Sequence, residues 1–246
     1  MQAIKKNRSQ ILAIIPARGG SKGIPKKNLA LVGGQPLIQY TLDAVKKSRM
    51  VTSAILSSDD DDIIAYCRAR GIEVPFKRPD DLSKDHVPML PVIIHAVSFL
   101  RDCKGYVPDY IVILQPTSPL RTGRHIDEAV GLLVNSEVDS VVSVVEVPHN
   151  FNPFSIMKLE GDYLKPYLEY NENLNIRQMK PKFFARNGAA IYAFTYDCLI
   201  NKNSLYGEKI LPYFMKKEES IDIDEPFDMM LADCILSELG ARNAGC

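Results

Sequence analysis

The sequence predicts an α/β fold: a doubly wound, mostly parallel sheet with helices on both of its faces. Short runs of consecutive apolar residues alternate with segments whose apolar residues recur at helical spacing. A run such as residues 11–15, which Pro16 ends, is typical of a strand buried on both faces. Parallel strands need a crossover connection, usually a helix, so this alternation predicts a parallel sheet.

The predicted elements follow one another along most of the chain. The predicted helix at 36–45 runs into two lysines, Lys46 and Lys47, whose charge is favourable at a helix C-terminus. The acids at 59–62 offer N-caps to a second helix at 63–70, which Gly71 ends. The remaining predicted strands are 54–56, 72–74, 110–114, 138–147 and 189–194, and the remaining predicted helices are 91–100, 126–134 and 226–239.

The alternation stops between residues 148 and 181. This stretch holds five aromatic residues, four prolines and short alternating runs. It predicts a protruding strand or hairpin insertion that serves as a dimerisation arm; a long loop is the alternative, although loops of that length are uncommon in compact domains. Residues 1–246 are therefore expected to form a single domain with one excursion, in a homodimer.

Composition narrows the class of protein. A net charge of zero gives no general reason to expect nucleic-acid binding, and no apolar run reaches the ~18 residues of a membrane span. The start of the chain lacks the apolar core of a secretion signal. The five cysteines are scattered and never spaced C-x-x-C, which favours a reducing compartment. We expect a cytoplasmic protein that binds neither membranes nor nucleic acids.

Charge is unevenly distributed along the chain. Residues 1–42 carry seven basic side chains and no acid, whereas residues 218–233 carry seven acids and no lysine or arginine. The basic segment suits an anionic ligand and the acidic segment suits a cation, although two solvated faces would give the same pattern.

A glycine-rich basic loop at 16–28 follows the first predicted strand. Its glycines let backbone amides approach an anion, and Arg18, Lys22 and Lys27 supply positive charge. The loop matches neither the P-loop nor the dinucleotide-binding pattern. It indicates a polyphosphate cradle, with a tight turn as the alternative.

Two further segments are candidates for chemistry. Gln115 begins a polar turn directly after a buried strand. Asp222 and Asp224 are two residues apart, so in an extended segment both carboxylates face one cation, and Mg²⁺ takes such ligands together with substrate phosphates. The acids at 59–62 form a rival metal site, although their place before a helix favours capping.

No pattern for a covalent route is present. The sequence has no H-E-x-x-H, no G-x-S-x-G and no cysteine–histidine metal spacing. Catalysis by positioning, fixed cations and a metal is therefore expected.

Taken together, these segments resemble the acylneuraminate cytidylyltransferase family, the synthetases of CMP-sialic acids. The resemblance covers roughly residues 11–240 and includes Arg177-Gln178 ahead of Asn187-Gly188. It implies a Rossmann-like nucleotidyltransferase that converts CTP and a nine-carbon 2-keto acid sugar into a CMP-sugar and pyrophosphate. Its most specific strings are Ala17-Arg18-x-x-Ser21-Lys22-Gly23 with Lys27-Asn28, Gln115-Pro116-Thr117-Ser118-Pro119-Leu120-Arg121, and Ser220-Ile221-Asp222-Ile223-Asp224.

The resemblance also implies roles for individual residues. Asp222 and Asp224 would bind Mg²⁺ and, with Arg18 and Lys22, form the catalytic set. Arg78 would contact the cytosine. The rest of the nucleotide site would comprise Ala17, Arg18, Ser21, Lys22, Lys27 and Asn28, and the sugar site would comprise Gln115, Arg177 and Asn187.

Departures from the family pattern bear on the sugar. Ala185 stands where an arginine is common, and Val87-Pro88-Met89 replaces small hydroxyl residues. The sugar pocket is therefore expected to differ from one for N-acetylneuraminate, and the 19–28 loop also resembles members that act on legionaminic or pseudaminic acid.

Two other functions stay open at this point. One is a glycosyltransferase that uses a sugar nucleotide through the D-x-D pair, and the other is a non-catalytic nucleotide-binding module. The basic loop favours the cytidylyltransferase, because a triphosphate needs more cations than a sugar diphosphate.

Overall fold

The computed structural model describes residues 9–21, 23–168, 180–188 and 190–244. The helices are α1 Leu37–Lys47, α2 Asp61–Arg68, α3 Met89–Lys104, α4 Gly123–Val134, α5 Tyr196–Ile200 and α6 Pro226–Ala244. The strands are β1 Ile11–Pro16, β2 Leu31–Val32, β3 Gln35–Pro36, β4 Ser53–Ser57, β5 Tyr110–Ile113, β6 Ser140–Glu146, β7 Met157–Glu160, β8 Tyr163–Pro166, β9 Phe184–Arg186, β10 Tyr192–Thr195 and β11 Ile210–Phe214.

The central sheet has the strand order β11-β6-β10-β5-β1-β4, with β9 also paired to β6. β1 is parallel to both β4 and β5, and β11 is parallel to β6. β10 is antiparallel to both of its neighbours, β5 and β6. The predicted mostly parallel sheet is confirmed, with β9 and β10 running against the other strands.

Helices cover both faces of this sheet. Ile11, Ala13 and Ile15 of β1 pack in one apolar cluster with residues of α1, α2 and α4. Leu12 and Ile14 point to the other face and pack with residues of α3 and α5. Because successive side chains of a strand alternate between faces, a continuous apolar run is what a strand between two helical layers needs. The doubly wound prediction is therefore confirmed.

The topology brings five strand ends to one edge of the sheet. β1, β4 and β5 share one direction, β6 shares it because β10 is antiparallel to both β5 and β6, and β11 is parallel to β6. The loops that follow these strands therefore start at the same edge, which is where open α/β sheets bind their ligands.

Several element bounds differ from those expected. The predicted strand 72–74 is reduced to one bridge between Glu73 and Ile55, since Gly71 and Pro75 leave little room for pairing. The predicted helix 91–100 extends over the whole of α3. β11 was not predicted, because Pro212 interrupts its apolar run. The acids before α2 behave as expected: the Asp60 side chain accepts a hydrogen bond from the Ile63 amide at 2.9 Å.

The start of the 148–181 stretch contains a two-stranded hairpin. β7 and β8 pair antiparallel around a turn in which Gly161 has a φ of 62°. All residues of both strands are exposed. Residues 169–179 lie outside the described residues. The role of this stretch in dimerisation stays a prediction.

No helix within the described ranges combines the length and the hydropathy needed to cross a bilayer.

One prediction concerns the packing of α4 on α1. A Cβ on Gly123 would lie 2.7–2.9 Å from backbone atoms of Lys47, Ser48 and Ala44, whereas a Cβ on Gly131 would meet only the Met50 sulfur at 3.8 Å. We expect Gly123→Ala to lower the free energy of unfolding by about 1–3 kcal/mol through overpacking. Gly131→Ala, on the same helix, should raise it by up to about 1 kcal/mol through helix propensity.

Urea unfolding of both variants measures the two effects. Equal changes in the two variants would contradict the close contact between α1 and α4.

Candidate active site

A cleft opens at the carboxyl edge of the sheet, between the loop after β1 and the turn after β5. Its lining combines basic, polar and acidic side chains from segments far apart in the sequence. The lining residues are Pro16, Arg18, Gly20, Ser21, Lys27, Asn28, Arg78, Met89, Gln115, Pro116, Thr117 and Asp224.

The loop after β1 is held in shape by its own contacts. The Asn28 side chain donates to the Arg18 carbonyl at 2.9 Å, and the Ala17 amide donates to the Ser57 carbonyl at 3.0 Å. The Gly19 amide donates to Asp59 at 3.1 Å, and a Cβ on Gly19 would lie 2.6 Å from an Asp60 oxygen. Glycine is therefore required where this loop meets the start of α2.

The acids at 59–62 support this loop and the helix that follows. Asp59 and Asp60 bind backbone amides, Asp61 pairs with Lys77, and Asp62 pairs with Lys26, both pairs at 2.8 Å. Within the described residues, no group of three or more acidic, histidine or cysteine side chains could hold a metal ion. Capping and loop support explain this run without a metal.

Arg18 and Lys27 bring positive charge to the cleft. Arg18 forms an ion pair with Asp85 from the loop before α3. The Lys27 ammonium donates to the Ile223 carbonyl at 2.6 Å and to the Asp224 carboxylate at 2.9 Å. The Lys27 side chain is only 13% exposed, so the cation sits where the basic loop meets the acidic segment.

Arg78 is a buried cation in the same cleft. Its guanidinium donates to the hydroxyl and the carbonyl of Ser57, at 3.0 and 2.5 Å, at the end of β4. Burial lowers the pKa of Arg78 to about 10, and nearby Arg18 lowers it too, while Asp59 opposes them. The group therefore stays charged at neutral pH, and its fork is fixed in orientation.

The two acids of the D-x-D segment have different surroundings. Asp224 has an exposed side chain that pairs with Lys27. Asp222 is half-buried and packs on Gly188, where a Cβ would lie 2.4 Å from its Oδ2; Gly188 has a φ of 67°. Burial and the neighbouring Asp224 charge raise the pKa of Asp222. The Ile223 amide donates to the Thr117 carbonyl at 2.9 Å and so fixes this segment against the turn after β5.

The donor set fits a hard divalent cation. Asp222 Oδ1 is buried and has no hydrogen-bond partner among the described residues. An unpaired carboxylate oxygen two residues from a second carboxylate offers the oxygen ligands that Mg²⁺ prefers, with substrate phosphates left to complete the shell.

The residues expected to contact the sugar are placed differently from one another. Gln115 lines the cleft. Asn187 is buried, and its amide accepts from the Ser143 hydroxyl at 2.6 Å and donates to the Ser220 hydroxyl at 3.0 Å. Asn187 therefore fixes the start of the D-x-D segment, and its direct contact with a sugar stays a prediction. Lys22 and Arg177 lie outside the described residues.

Sequence reasoning missed three contributors to this site. Asp85 pairs with Arg18, and Thr117 provides both a wall of the cleft and a backbone acceptor. Arg121 lies buried beneath the turn after β5. Its place in the Gln115–Arg121 string was the only signal for it, whereas nothing distinguishes Asp85 from the other loop acids around it.

Comparison with known proteins agrees with this geometry. The family model described as cytidylyltransferase matches residues 12–232. The N-acylneuraminate cytidylyltransferase of Escherichia coli O18:K1:H7 (strain RS218 / NMEC) is 34% identical over 231 residues, which are 92% of this chain and 52% of that protein. The CMP-N,N'-diacetyllegionaminic acid synthase of Legionella pneumophila subsp. pneumophila (strain Philadelphia 1) is 32% identical, over 92% of this chain and 96% of that protein. The chain thus spans about half the length of the N-acylneuraminate cytidylyltransferase and nearly all of the legionaminic acid synthase.

Solved structures show the same fold. A CMP:2-keto-3-deoxy-manno-octonic acid synthetase complexed with CTP aligns with a TM-score of 0.70 and 17% identity, covering 94% of this chain and all of that one. A 4-diphosphocytidyl-2C-methyl-D-erythritol synthase from Anaerococcus prevotii DSM 20548 aligns with a TM-score of 0.62 and 14% identity, over 94% of this chain and 97% of that one. At this level of sequence identity, the structural similarity shows the fold alone. The sequence match over residues 12–232 decides the family: the chain belongs to the cytidylyltransferases.

Proposed function

We propose that the protein is a Mg²⁺-dependent cytidylyltransferase that makes a CMP-sugar and pyrophosphate from CTP and a nonulosonic acid. One observation carries this proposal: a single cleft is lined by the cations Arg18, Lys27 and Arg78 and by the exposed carboxylate of Asp224, two residues from the half-buried Asp222. Relatives that are named for CMP-nonulosonate synthesis support it. The family match also favours it over a glycosyltransferase built on the same D-x-D pair.

The nucleotide would lie along the loop after β1. Arg18, Ser21 and Lys27 line the cleft and offer donors to the triphosphate, and Lys22 belongs to the same loop. Arg78 has two of its five N–H groups engaged with Ser57, so others of its fork are left for the cytosine. Asn28 shapes the loop through its contact with the Arg18 carbonyl.

The reaction needs an acceptor held in line with the α-phosphorus. The anomeric hydroxyl of the sugar gives its proton to water and attacks the α-phosphorus, the bond from the α-phosphorus to the oxygen of the β-phosphate breaks, and negative charge moves onto the departing pyrophosphate. Arg18 and Lys27 line the cleft where that charge would develop, and donors placed in this way are worth about 10²–10³ in rate. Gln115 and Arg177 would line the sugar side, with Arg177 suited to the sugar carboxylate.

Asp222 and Asp224 would hold the Mg²⁺, which when bound neutralises phosphate oxygens and so favours the loss of pyrophosphate. Lys27 already pairs with Asp224, so this lysine can pass from the carboxylate to a phosphate as substrate and metal bind. Asp222 is held by Gly188 and by the Thr117–Ile223 hydrogen bond, which keep its carboxylate in place.

The acceptor class follows from the relatives and from one departure. The relatives are named for N-acylneuraminate and for N,N'-diacetyllegionaminic acid, and this chain spans nearly all of the latter enzyme. Ala185 stands where the family pattern commonly has an arginine. We therefore expect a nine-carbon acid other than N-acetylneuraminate, such as legionaminate, to be the better substrate.

The cellular setting and the assembly belong to the same proposal. The described cysteines are free, as suits a reducing cytoplasm. The β7–β8 hairpin exposes Leu159 and Leu164, which pair across the hairpin and are 70% and 66% exposed. A two-stranded hairpin is marginally stable by itself, so a second copy of the chain is the proposed cover for this surface.

Pyrophosphate release tests the function. With CTP, Mg²⁺ and a panel of N-acetylneuraminate, legionaminate, pseudaminate, deaminated neuraminate and 3-deoxy-manno-octulosonate, we expect turnover with a nine-carbon acid and loss of that turnover on metal chelation. Asp224→Ala should lower kcat by about 10²–10³, because a metal ligand is lost at an exposed position. Glu225→Ala removes the same charge from an exposed neighbour outside the cleft and should leave kcat unchanged.

Silence with all five acids, in folded protein that binds CTP, would refute the proposed reaction. Equal effects of Asp224→Ala and Glu225→Ala would refute the metal assignment alone.

Base selectivity tests the role of Arg78. Donors aimed at the O2 and N3 acceptors of cytosine discriminate against uracil, whose N3 carries a proton, and a bidentate contact is worth about 1–3 kcal/mol. We expect Arg78→Met to lower the ratio of kcat/KM for CTP over UTP at least about fivefold. Arg18→Met, which removes a phosphate contact common to both nucleotides, should lower both values and leave the ratio unchanged. An unchanged ratio in folded Arg78→Met would remove Arg78 from the base site.

Light scattering tests the dimer. The wild type should have twice the monomer mass at micromolar concentration. The double change Leu159→Ser and Leu164→Ser should yield a folded monomer, because it removes the apolar face of the hairpin. The matched change of Lys158 and Lys165 to serine, a pair from the other face, should leave the dimer intact. A monomeric wild type would rule out the arm as a dimer contact.

A further inference from the structure

Arg121 is a buried cation beneath the acceptor side of the cleft. It is 2% exposed and follows β5 at the end of the turn that begins with Gln115. Burial lowers its pKa to about 9, so it stays charged at neutral pH. In the part of the chain that the structure describes, no carboxylate lies within salt-bridge distance of it.

The guanidinium binds neutral oxygens from three separate segments. Its Nη1 donates to the carbonyls of Gln115 and Ala190, each at 2.9 Å. Its Nη2 donates to the Thr41 hydroxyl on α1. The Nε has no partner among the described residues. A single side chain therefore ties a helix to two loops.

Two of these segments form the acceptor side of the site. Gln115 lines the cleft, and Ala190 comes two residues after Gly188, against which Asp222 packs. Thr41 is fully buried on α1 and provides a fixed anchor. Arg121 thus connects both walls to the rigid layer below them.

The contacts of the nucleotide loop do not run through Arg121. That loop is held by Asn28 to the Arg18 carbonyl, by the Ala17 amide to Ser57, and by Lys27 to Ile223. The nucleotide loop therefore has contacts of its own, and Ile223 links it to the turn after β5 through the Thr117 carbonyl.

An unpaired buried cation is costly, and its burial is offset only by well-placed hydrogen bonds. A lysine ammonium would bring the same charge without the planar fork that reaches several oxygens at once. The geometry of the guanidinium, more than its charge, accounts for an arginine at this position.

We propose that Arg121 is a positioning residue for the acceptor: through their carbonyls it fixes the backbone at Gln115 and Ala190 in register with the α-phosphorus. The inference rests on the proposed function, since it presumes that these walls receive the sugar. Misplacing a reactant by about 1 Å costs about 10² in rate, which sets the size of the expected effect.

The test uses Thr41→Val and Thr41→Ser, since Arg121→Met itself leaves two buried carbonyls without donors. Thr41→Val keeps the shape of the side chain and removes the hydroxyl that accepts from Arg121, whereas Thr41→Ser keeps that hydroxyl. In Thr41→Val, hydrogen exchange on the free protein should be faster than in the wild type over 114–121 and 187–193 and unchanged over 12–21. In Thr41→Ser, exchange should match the wild type throughout.

Kinetics give the second readout. Thr41→Val and Arg121→Lys should lower kcat/KM for the acceptor by about 10–10², with the KM for CTP within about twofold of wild type, and Thr41→Ser should restore the acceptor value. Wild-type kinetics in Arg121→Lys would overturn the proposal. Equal losses of kcat/KM for CTP and for the acceptor, or faster hydrogen exchange throughout the chain, would overturn it too. A wild type that uses no acid would refute the proposed reaction instead, and hydrogen exchange would still decide whether Arg121 holds these two segments.

Discussion

The contact of Lys27 with residues 223 and 224 joins two parts of the chain that are 196 residues apart or more. The basic loop follows β1, the first strand of the sheet, and the acidic segment precedes α6, the last helix. Gly23 lets the two backbones meet, since a Cβ there would lie 2.4 Å from the Asp224 carbonyl oxygen. Because one ammonium bridges both, the basic loop and the acidic segment form a single site only in the folded chain.

Buried polar groups then set the shape of that site. Arg78 binds Ser57, Asn187 binds Ser143 and Ser220, and Arg121 binds the carbonyls of Gln115 and Ala190. Each such group costs free energy unless its hydrogen bonds are made, and removing one partner leaves the other unsatisfied. The cleft is therefore specified by a few well-defined hydrogen bonds between loops, on a sheet whose apolar core fixes only where those loops start.

The sheet and helix layers, and the place of the site at the sheet edge, can be predicted from the local sequence pattern. The hydrogen bonds and ion pairs that hold the site together cannot. Consecutive apolar residues predict β1 and β5, and the loops after them were the expected ligand-binding loops. The pairing of Arg18 with Asp85, and the engagement of Asn187 by Ser143, depend on tertiary register that a single sequence does not encode locally. The predicted strand 72–74 is reduced to one bridge for a related reason. The apolar residues between Gly71 and Pro75 match a strand pattern, but this segment is too short to pair along its length.

Asp222 and Asp224 differ in burial and in partners, which the D-x-D spacing alone does not predict. Alternation along an extended segment would present two equivalent carboxylates to one cation. Instead, Gly188 and the Thr117–Ile223 hydrogen bond draw Asp222 inward, where burial raises its pKa, while Asp224 stays exposed beside Lys27. A bound divalent cation, as proposed, would offset the cost of burying the Asp222 carboxylate by neutralising its charge. If phosphates bind on the Lys27 side, as proposed, Asp224 would face the nucleotide, and Asp222, which packs on Gly188, would lie on the acceptor side.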